Sequence, residues 1–287
     1  MSTLNNPFAP FDAALAAAFK TNIQTALEED IGSGDVTGLL VPANEMVQAH
    51  VIVREAAVLC GAPWFEAVMH QLDAQIEIDW RYAEGDVMMA DSEVCLIQAP
   101  ARALLTAERS ALNFLQLLSG VATVTRDYVN LVLGTKARIL DTRKTLPGLR
   151  LAQKYAVRVG GGDNQRLALY DGILIKENHI AAAGGVKAAM QAALALDAGV
   201  TIQIEVEDMG QLEAALAAGA TSILLDNFSL AMMREAVDWS KGRALLEGSG
   251  GVNRDSVRAI AETGVDRISI GSLTKDIKAT DYSLRIR

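Results

Sequence analysis

The last third of the chain alternates short apolar strands with alanine-rich stretches of helical character. The apolar runs are "TIQIEVE", "TSILLDN", "RALLEGSGG" and "DRISIGS". Glu205, Asp226 and Glu247 end the first three runs at intervals of 21 residues, and Gly271 ends the fourth 24 residues later. Continuous apolar strands that alternate with helices predict a parallel sheet that is buried on both faces.

Two earlier segments, "ARILDTRKT" and "GILIKENHI", have the same character, so six strand–helix units are visible. No GxGxxG enters a helix where a dinucleotide-binding sheet requires it, and an α/β barrel therefore fits better. In such barrels the chemistry lies at the carboxyl ends of the strands. The polar residues of this chain fall at those ends.

The first hundred residues have a different pattern. The runs "QAHVIVREAAVLCG", "AQIEIDW" and "EGDVMMADSEVCLIQAP" predict a mostly antiparallel layer with short helices. From "APARALLTAERSALNFLQLLSG" the pattern becomes helical, and Gly120 is expected to end or bend that helix. The 287-residue chain thus has two regions with different sequence patterns, an N-terminal region of irregular strands and a C-terminal region of repeating strand–helix units.

Composition and charge narrow the class of protein. A content of 51% hydrophobic and 21% charged residues is that of a globular chain with a real core. A net charge of -9 argues against a general nucleic-acid binder, so an anion site must be a local exception. Cys60 and Cys95 lie in strand-like apolar runs, which predicts buried free thiols and not a disulfide or a zinc site.

The N-terminal stretch lacks the features of a secretory signal. It has no basic region, and Asp12 interrupts its apolar part. Elsewhere no uncharged apolar run approaches the roughly 18 residues that a membrane span needs. We therefore expect a cytoplasmic protein that does not enter membranes.

Cations and glycines collect at the predicted rim of the barrel. Arg143, Lys144 and Lys176 stand at or just past apolar strand ends, which predicts anion binding. The later "GSGG" (248–251) and "GSL" (271–273) follow the last two strands, where barrels commonly bind phosphate on backbone N–H groups. Glu205 and Asp226 either pair with the lysines or hold sugar hydroxyls and a divalent cation.

These residues leave three functions open. A phosphorylated sugar and a second anion would suit a phosphoribosyl or phosphoryl-sugar transferase. A lysine at a strand end, Lys176, would also suit a Schiff-base aldolase. A sugar-phosphate sensor without catalysis is the third alternative.

Longer motifs narrow the choice among these three functions. "ALEEDIGSGDVT", "ERSALNFLQLLSGVAT", "DTRKTLPGLRLAQKYAVRVGGG", "LIKENHI", "IEVE", "LLDN", "LEGSGG" and "DRISIGSLTK" occur in the order seen in quinolinate phosphoribosyltransferases, and the chain resembles that family over nearly its whole length. The resemblance implies an α/β protein. An N-terminal α/β sandwich domain (1–118) would precede an incomplete TIM-like α/β barrel (119–274), with a C-terminal segment (275–287) returning to the first domain.

The resemblance also implies an activity and its partners. The family joins quinolinate to phosphoribosyl pyrophosphate with Mg²⁺ and releases pyrophosphate and CO₂, giving nicotinate mononucleotide. A homodimer is implied, in which Arg109 completes the pocket of the partner subunit. A phosphoribosyltransferase of the same fold that uses another small anionic acceptor remains an alternative.

Roles follow by resemblance for individual positions. Arg143 and Arg166 would hold the quinolinate carboxylates, and Lys144 and Lys176 would face pyrophosphate and substrate oxygens. Glu205 and Asp226 would hold the ribose hydroxyls and the metal. The remaining substrate-binding positions, including those that would cradle the 5′-phosphate, are Thr142, Gln165, Ser249, Gly250, Gly251, Gly271, Ser272 and Leu273.

One position departs from the family pattern. The family pattern is GGG, two variable residues and then His-Arg, whereas this chain reads "GGGDNQR", with Gln165 in place of the His and Arg166 after it. The glutamine amide can still donate to a substrate carboxylate, but as a neutral donor, which is weaker than a charged one by about 1 kcal/mol. We expect quinolinate to remain the preferred acceptor.

Overall fold

The computed structural model describes residues 4–42 and 45–287. By internal packing the chain forms two compact units. The first consists of Met1–Arg126, Thr145–Gly161 and Leu273–Arg287, and the second of Asp127–Lys144 and Gly162–Ser272. The long helix α3, Ala101–Leu131, begins in the first unit and ends in the second.

The first unit is a small antiparallel sheet with helices. Its four-stranded sheet has the order β12-β1-β5-β3, and a two-stranded sheet pairs β2 with β4. The strands are β1 Met46–Val53, β2 Ala57–Val58, β3 Glu77–Trp80, β4 Val87–Met88, β5 Glu93–Pro100 and β12 Tyr282–Ile286. The helices are α1 Ala13–Ile31, α2 Ala62–Leu72, α3 Ala101–Leu131 and α4 Arg150–Val159. Strand β12 pairs with β1, so the end of the chain lies in this sheet.

An aromatic cluster explains why α4 belongs to the first unit. Tyr155 of α4 lies 5.2 Å from the ring of Phe11 and 5.2 Å from that of Trp64. Phe19 of α1 packs edge-on against Trp64. Residues Thr145–Gly161, which lie within the predicted barrel segment 119–274, therefore pack with the N-terminal elements.

Gly120 does not end helix α3. The helix continues through it to Leu131, so the predicted helix end at this glycine is wrong. A Cβ at Gly120 would lie 2.3 Å from the carbonyl oxygen of Lys278. The glycine is thus required by the close approach of the C-terminal backbone, which the helical pattern alone does not reveal.

The second unit is a parallel sheet, as predicted. Its six strands have the order β6-β11-β10-β9-β8-β7, so β6 and β7 are its edges. The strands are β6 Arg138–Leu140, β7 Gly172–Ile175, β8 Thr201–Val206, β9 Ser222–Asp226, β10 Leu245–Ser249 and β11 Arg267–Ser269. The helices are α5 Glu177–Ala183, α6 Val186–Ala195, α7 Met209–Ala217, α8 Leu230–Ser240, α9 Val257–Ala261 and α10 Ser272–Lys275.

Residues 162–171 lie at the open edge of the parallel sheet. Asp163 forms a parallel bridge with Leu140, and its N–H donates to the Ile139 carbonyl at 2.8 Å. The side chain of Asp163 accepts two hydrogen bonds from Arg138, at 2.9 and 3.0 Å. This connection thus takes the place of a further strand beside β6.

The cysteines agree with a further prediction. Cys60 and Cys95 are free and buried. None of the helices in the described ranges is long and apolar enough to cross a membrane.

A buried carboxyl group lies in the core of the first unit. Glu84 is 1% exposed and accepts hydrogen bonds from the N–H groups of Gly61 and Ala62, at 2.8 and 3.1 Å. Tyr155 donates to the same carboxyl at 2.9 Å. Burial raises the pKa of Glu84 to about 7, although these hydrogen bonds act in the opposite direction.

The raised pKa predicts a pH-dependent stability. Because the folded-state pKa lies above that of the unfolded chain, the contribution of Glu84 is largest below about pH 4.5 and is lost as the pH rises through 7. Relative to a Glu84→Gln variant, the wild type should lose about 2–3 kcal/mol of unfolding free energy between pH 5 and 8. Urea titrations of both proteins measure the difference. A difference that stays constant or grows in favour of the wild type would contradict the assignment.

Candidate active site

A cavity of about 470 Å³ opens at the carboxyl ends of the parallel strands in the second unit. Its walls bring together residues from seven separate segments of sequence. The predicted site residues that line it are Thr142, Arg143, Lys144, Gln165, Arg166, Lys176, Glu205, Asp226 and Ser249. A parallel sheet ends all its strands at one rim, which explains why residues a hundred positions apart meet there.

Two guanidinium groups give the cavity a positive wall. The Nε of Arg143 is buried and has no hydrogen-bond partner in the described part of the chain. Arg166 donates from Nη1 to the Gly172 carbonyl at 2.8 Å. Burial, and then the charge of Arg143, lower the pKa of Arg166. Two cations that repel one another, one with an unsatisfied donor, form a site for an anion with planar oxygens.

An ion pair lies on the neighbouring wall. Lys176 Nζ stands 3.4 Å from a carboxylate oxygen of Glu205. Burial raises the pKa of Glu205, and Asp226 raises it further, whereas Lys176 lowers it. His179 accepts a hydrogen bond at Nδ1 from the backbone N–H of Lys176, at 3.0 Å. The histidine thereby fixes the backbone at the end of β7 where α5 begins.

The two carboxylates fit a hard divalent cation that is shared with a substrate. The charge of Asp226 disfavours ionisation of Glu205, and a cation between them would relieve that repulsion. No group of three or more metal-ligating side chains exists among the described residues. Mg²⁺ usually binds one or two carboxylates, with water and phosphate oxygens completing its shell, so Glu205 and Asp226 suit it only together with a phosphorylated ligand.

Two glycine turns follow strands β10 and β11. Gly250 and Gly251 have positive φ angles of 103° and 56°. A Cβ at Gly250 would meet the side-chain oxygen of Asn227 at 2.2 Å. A Cβ at Gly271 would lie 3.1 Å from Cδ of Lys144. These backbones therefore pass close to their neighbours, as a turn that presents N–H groups to an anion requires.

The side chain of Gln165 is directed at other protein groups. Its Nε2 donates to Oε1 of Gln203 at 2.6 Å and lies 3.2 Å from each carboxylate oxygen of Glu247. The structure differs here from the expectation that the amide donates to a substrate carboxylate. Gln165 still lines the cavity, but its amide hydrogens point at protein acceptors.

The other predicted residues stand apart from this lining. Arg109 is exposed on α3 and Leu273 is fully buried, and both belong to the first compact unit. Gly250 and Gly251 lie in the turn after β10, Gly271 lies in the turn after β11, and Ser272 begins α10.

Sequence reasoning missed four side chains of this region. Ser269, Leu174 and Leu224 line the cavity, and Glu247 lies at its base. The regular spacing of Glu205, Asp226 and Glu247, each toward the end of an apolar run of the sequence, was a signal for the last of these. The contact partner Gln203 had no such signal, because it stands inside a strand.

Comparison with known families identifies both halves of the chain. The quinolinate phosphoribosyl transferase N-terminal domain matches residues 35–119. The C-terminal domain of the same family matches residues 121–285.

Individual relatives are similar over almost the full length. The chain is 42% identical to nicotinate-nucleotide pyrophosphorylase [carboxylating] of Mycobacterium leprae, over 96% of this chain and 97% of the relative. It is 37% identical to quinolinate phosphoribosyltransferase [decarboxylating] 1b of Nicotiana tabacum, over 92% and 81%. The solved nicotinate-nucleotide pyrophosphorylase of Francisella tularensis has a TM-score of 0.93 at 43% identity and covers 100% of both chains. The chain therefore belongs to the quinolinate phosphoribosyltransferase family.

Proposed function

We propose that the protein transfers the phosphoribosyl group of phosphoribosyl pyrophosphate to quinolinate and decarboxylates the product. The products are nicotinate mononucleotide, pyrophosphate and CO₂, which makes the enzyme a phosphoribosyltransferase of NAD biosynthesis. The meeting of Arg143, Arg166, Lys144 and Lys176 with two carboxylates in one cavity carries this proposal. The names of the relatives agree with it.

The cations bind the acceptor and the leaving group in this proposal. The guanidinium groups of Arg143 and Arg166 hold the two carboxylates of quinolinate, for which a planar fork of donors is suited. The ammonium groups of Lys144 and Lys176 face pyrophosphate. The 5′-phosphate is bound by the backbone N–H groups of Ser249, Gly250, Gly251, Gly271, Ser272 and Leu273.

The carboxylates act where positive charge develops. As the ribose C1–pyrophosphate bond breaks, the sugar gains oxocarbenium character, which Glu205 and Asp226 stabilise beside the ring. The pyridine nitrogen forms the new bond to C1. A magnesium ion bound by these carboxylates and the phosphates would neutralise the departing charge.

The second half of the reaction needs little help from the protein. The alkylated pyridine nitrogen is positively charged, so the adjacent carboxylate leaves as CO₂ and its electron pair remains on the ring carbon. A proton from water then takes its place. No strong acid or base is required, and the cavity lining contains neither His nor Cys.

The enzyme is a homodimer in this proposal and works in the cytoplasm. Arg109 is exposed on α3 and does not line the cavity. We place it in the pocket of the partner subunit, as the family resemblance implies.

The first test is a product assay. The purified protein, given quinolinate, phosphoribosyl pyrophosphate and Mg²⁺, should form nicotinate mononucleotide and CO₂ in equal amounts, and a chelator should abolish both. Folded protein that forms neither product would contradict the assignment.

A lysine in an ion pair is a poor nucleophile, so borohydride with sugar phosphates should trap no adduct at Lys176. A stoichiometric adduct there would instead indicate an aldolase.

The second test separates Glu205 from its neighbour Glu207. Glu205→Gln removes the carboxylate beside the sugar and should lower kcat by about 10² or more. Glu207→Gln is the matched control, because that exposed residue on the same segment is outside the cavity, and it should retain nearly full activity. Equal losses of kcat in both variants would show that the Glu205 carboxylate does not act beside the sugar.

Glu205 also sets the acid limit of activity. The pKa of Glu205 in the free enzyme is raised by burial, and the ionised form is needed, so wild-type kcat/KM should begin to fall at a pH above that of an ordinary glutamate. A pH profile of kcat/KM, which reports on the free enzyme, measures this limit. Activity that is undiminished well below pH 4.5 would show that Glu205 does not have to be ionised.

The third test concerns the dimer. Arg109→Ala and Lys144→Ala should each be nearly inactive as homodimers. After subunit exchange, the mixture should recover about a quarter of the wild-type rate, because half of the dimers are mixed and each has one intact pocket. If verified heterodimers show no recovery, both residues serve the same subunit's site.

A further inference from the structure

A closed group of three polar side chains lies at the base of the active-site cavity. Gln203 on β8 and Glu247 on β10 are buried, with exposed fractions of 7% and 1%. Gln203 donates from Nε2 to Oε2 of Glu247 at 2.9 Å. Gln165, on the connection before β7, donates to both of them. We call Gln165, Gln203 and Glu247 the amide triad.

The directions of these hydrogen bonds are fixed by chemistry. An ionised carboxylate only accepts, so both amides must turn their NH₂ groups toward Glu247. Gln203 then presents its oxygen to Gln165. The oxygen of Gln165 in turn accepts the backbone N–H of Arg166, at 2.7 Å. Turning either amide over would set oxygen against oxygen, so one arrangement alone satisfies every group.

Glu247 depends on these two amides. It forms no ion pair among residues 4–42 and 45–287, and its hydrogen bonds come from Gln165 and Gln203. A buried carboxylate that loses a donor is strongly destabilised. The triad therefore resists rearrangement, and it holds in place the backbone that is hydrogen-bonded to it.

Arg166 is attached to it directly. Its backbone N–H is held by the Gln165 side chain, and the backbone N–H of Gln165 is held by Asp141 at 2.9 Å. The guanidinium is held at its other end by the Gly172 carbonyl. The main-chain position of Arg166 is thus set by the Gln165 side chain, which Gln203 and Glu247 hold in place.

We infer that Glu247 and Gln203 are positioning residues that act through Gln165 to place Arg166 for binding of the acceptor carboxylate. The inference rests on the proposed function, since it takes quinolinate as the ligand of Arg166. Both residues are hydrogen-bonded to Gln165 and to each other, and they act on Arg166 through that side chain. Their effect should consequently appear in binding of the acceptor and not in the chemical step.

Glu247→Gln is the direct test. The new NH₂ group must face at least one amide donor, so one hydrogen bond is lost and the Gln165 side chain turns. We expect the KM for quinolinate to rise about tenfold, while kcat and the KM for phosphoribosyl pyrophosphate change less than about threefold. Glu262→Gln, at an exposed pair with Arg258, is the control and should change none of these values.

A second variant covers the case in which Glu247→Gln does not fold. Gln203→Met keeps the length of the side chain and the carboxylate of Glu247, but it removes the acceptor of Gln165 and one donor to Glu247. It should raise the KM for quinolinate several-fold with the same selectivity. Equal changes in all three kinetic values, or no change in either variant, would overturn the inference.

A spectroscopic measurement tests the contact without relying on activity. In Gln165→His the imidazole faces the Glu247 carboxylate, which should raise its pKa above the ordinary value of about 6.5. In the double variant Gln165→His with Glu247→Gln the carboxylate is gone, and the imidazole pKa should fall. Of the charged groups around this position, Asp141 and Arg166 are present in both variants, so their effects cancel. Equal pKa values by NMR would show that Glu247 does not act on position 165.

This test is independent of the reaction. If the product assay fails while the imidazole pKa shifts as expected, the contact within the amide triad is confirmed and the proposed substrate is wrong. If quinolinate is turned over but neither triad variant affects its KM, the proposed substrate is confirmed and the positioning role of the triad is wrong.

Discussion

The parallel sheet of this protein has six strands and therefore two edges, β6 and β7. Residues 162–171 cover the sheet edge at β6 and lead directly into β7. The active site depends on this connection being held in place. The connection has little regular structure of its own, and carboxylates hold it in place. Asp141 accepts from the backbone of Gln165 and from Asn164, and Asp171 accepts from the N–H groups of Leu167 and Ala168.

This arrangement explains how an acidic chain builds an anion site. The net charge of -9 would repel a dianion in general. Around the cavity, however, much of the negative charge is engaged by backbone N–H and amide groups, and it organises the connection that carries Arg166. Arg143 retains an unsatisfied buried donor. The cavity lining holds four cationic side chains and three carboxylates, so it is a local exception to the net charge of the chain.

Sequence patterns predicted the parts of the fold that follow from periodicity. The six apolar runs became the six parallel strands, and the residues after them meet at one rim because parallel strands share their direction. The same logic explains why Lys144, Lys176, Glu205 and Asp226 could be selected as site residues. Residues at strand ends have a sequence signature, whereas residues inside strands that contact one another do not.

The parts that escaped prediction depend on contacts between distant segments. Gly120 stands in a helix because the backbone near Lys278 approaches it, and neither sequence neighbourhood signals the other. Helix α4 packs with the N-terminal elements through Tyr155, which no local pattern reveals. The partners of Gln165 could not be chosen either, since Gln203 alternates with ordinary apolar residues along β8.

Two guanidinium groups in one pocket should select an acceptor with two carboxylates, and a comparison of acceptors tests this most directly. With saturating phosphoribosyl pyrophosphate, kcat/KM for quinolinate should exceed that for nicotinate, which lacks one carboxylate, by about 100-fold or more, because an unpaired charged donor in a buried site costs about 3 kcal/mol. Equal or better use of nicotinate by the wild-type protein would contradict the account.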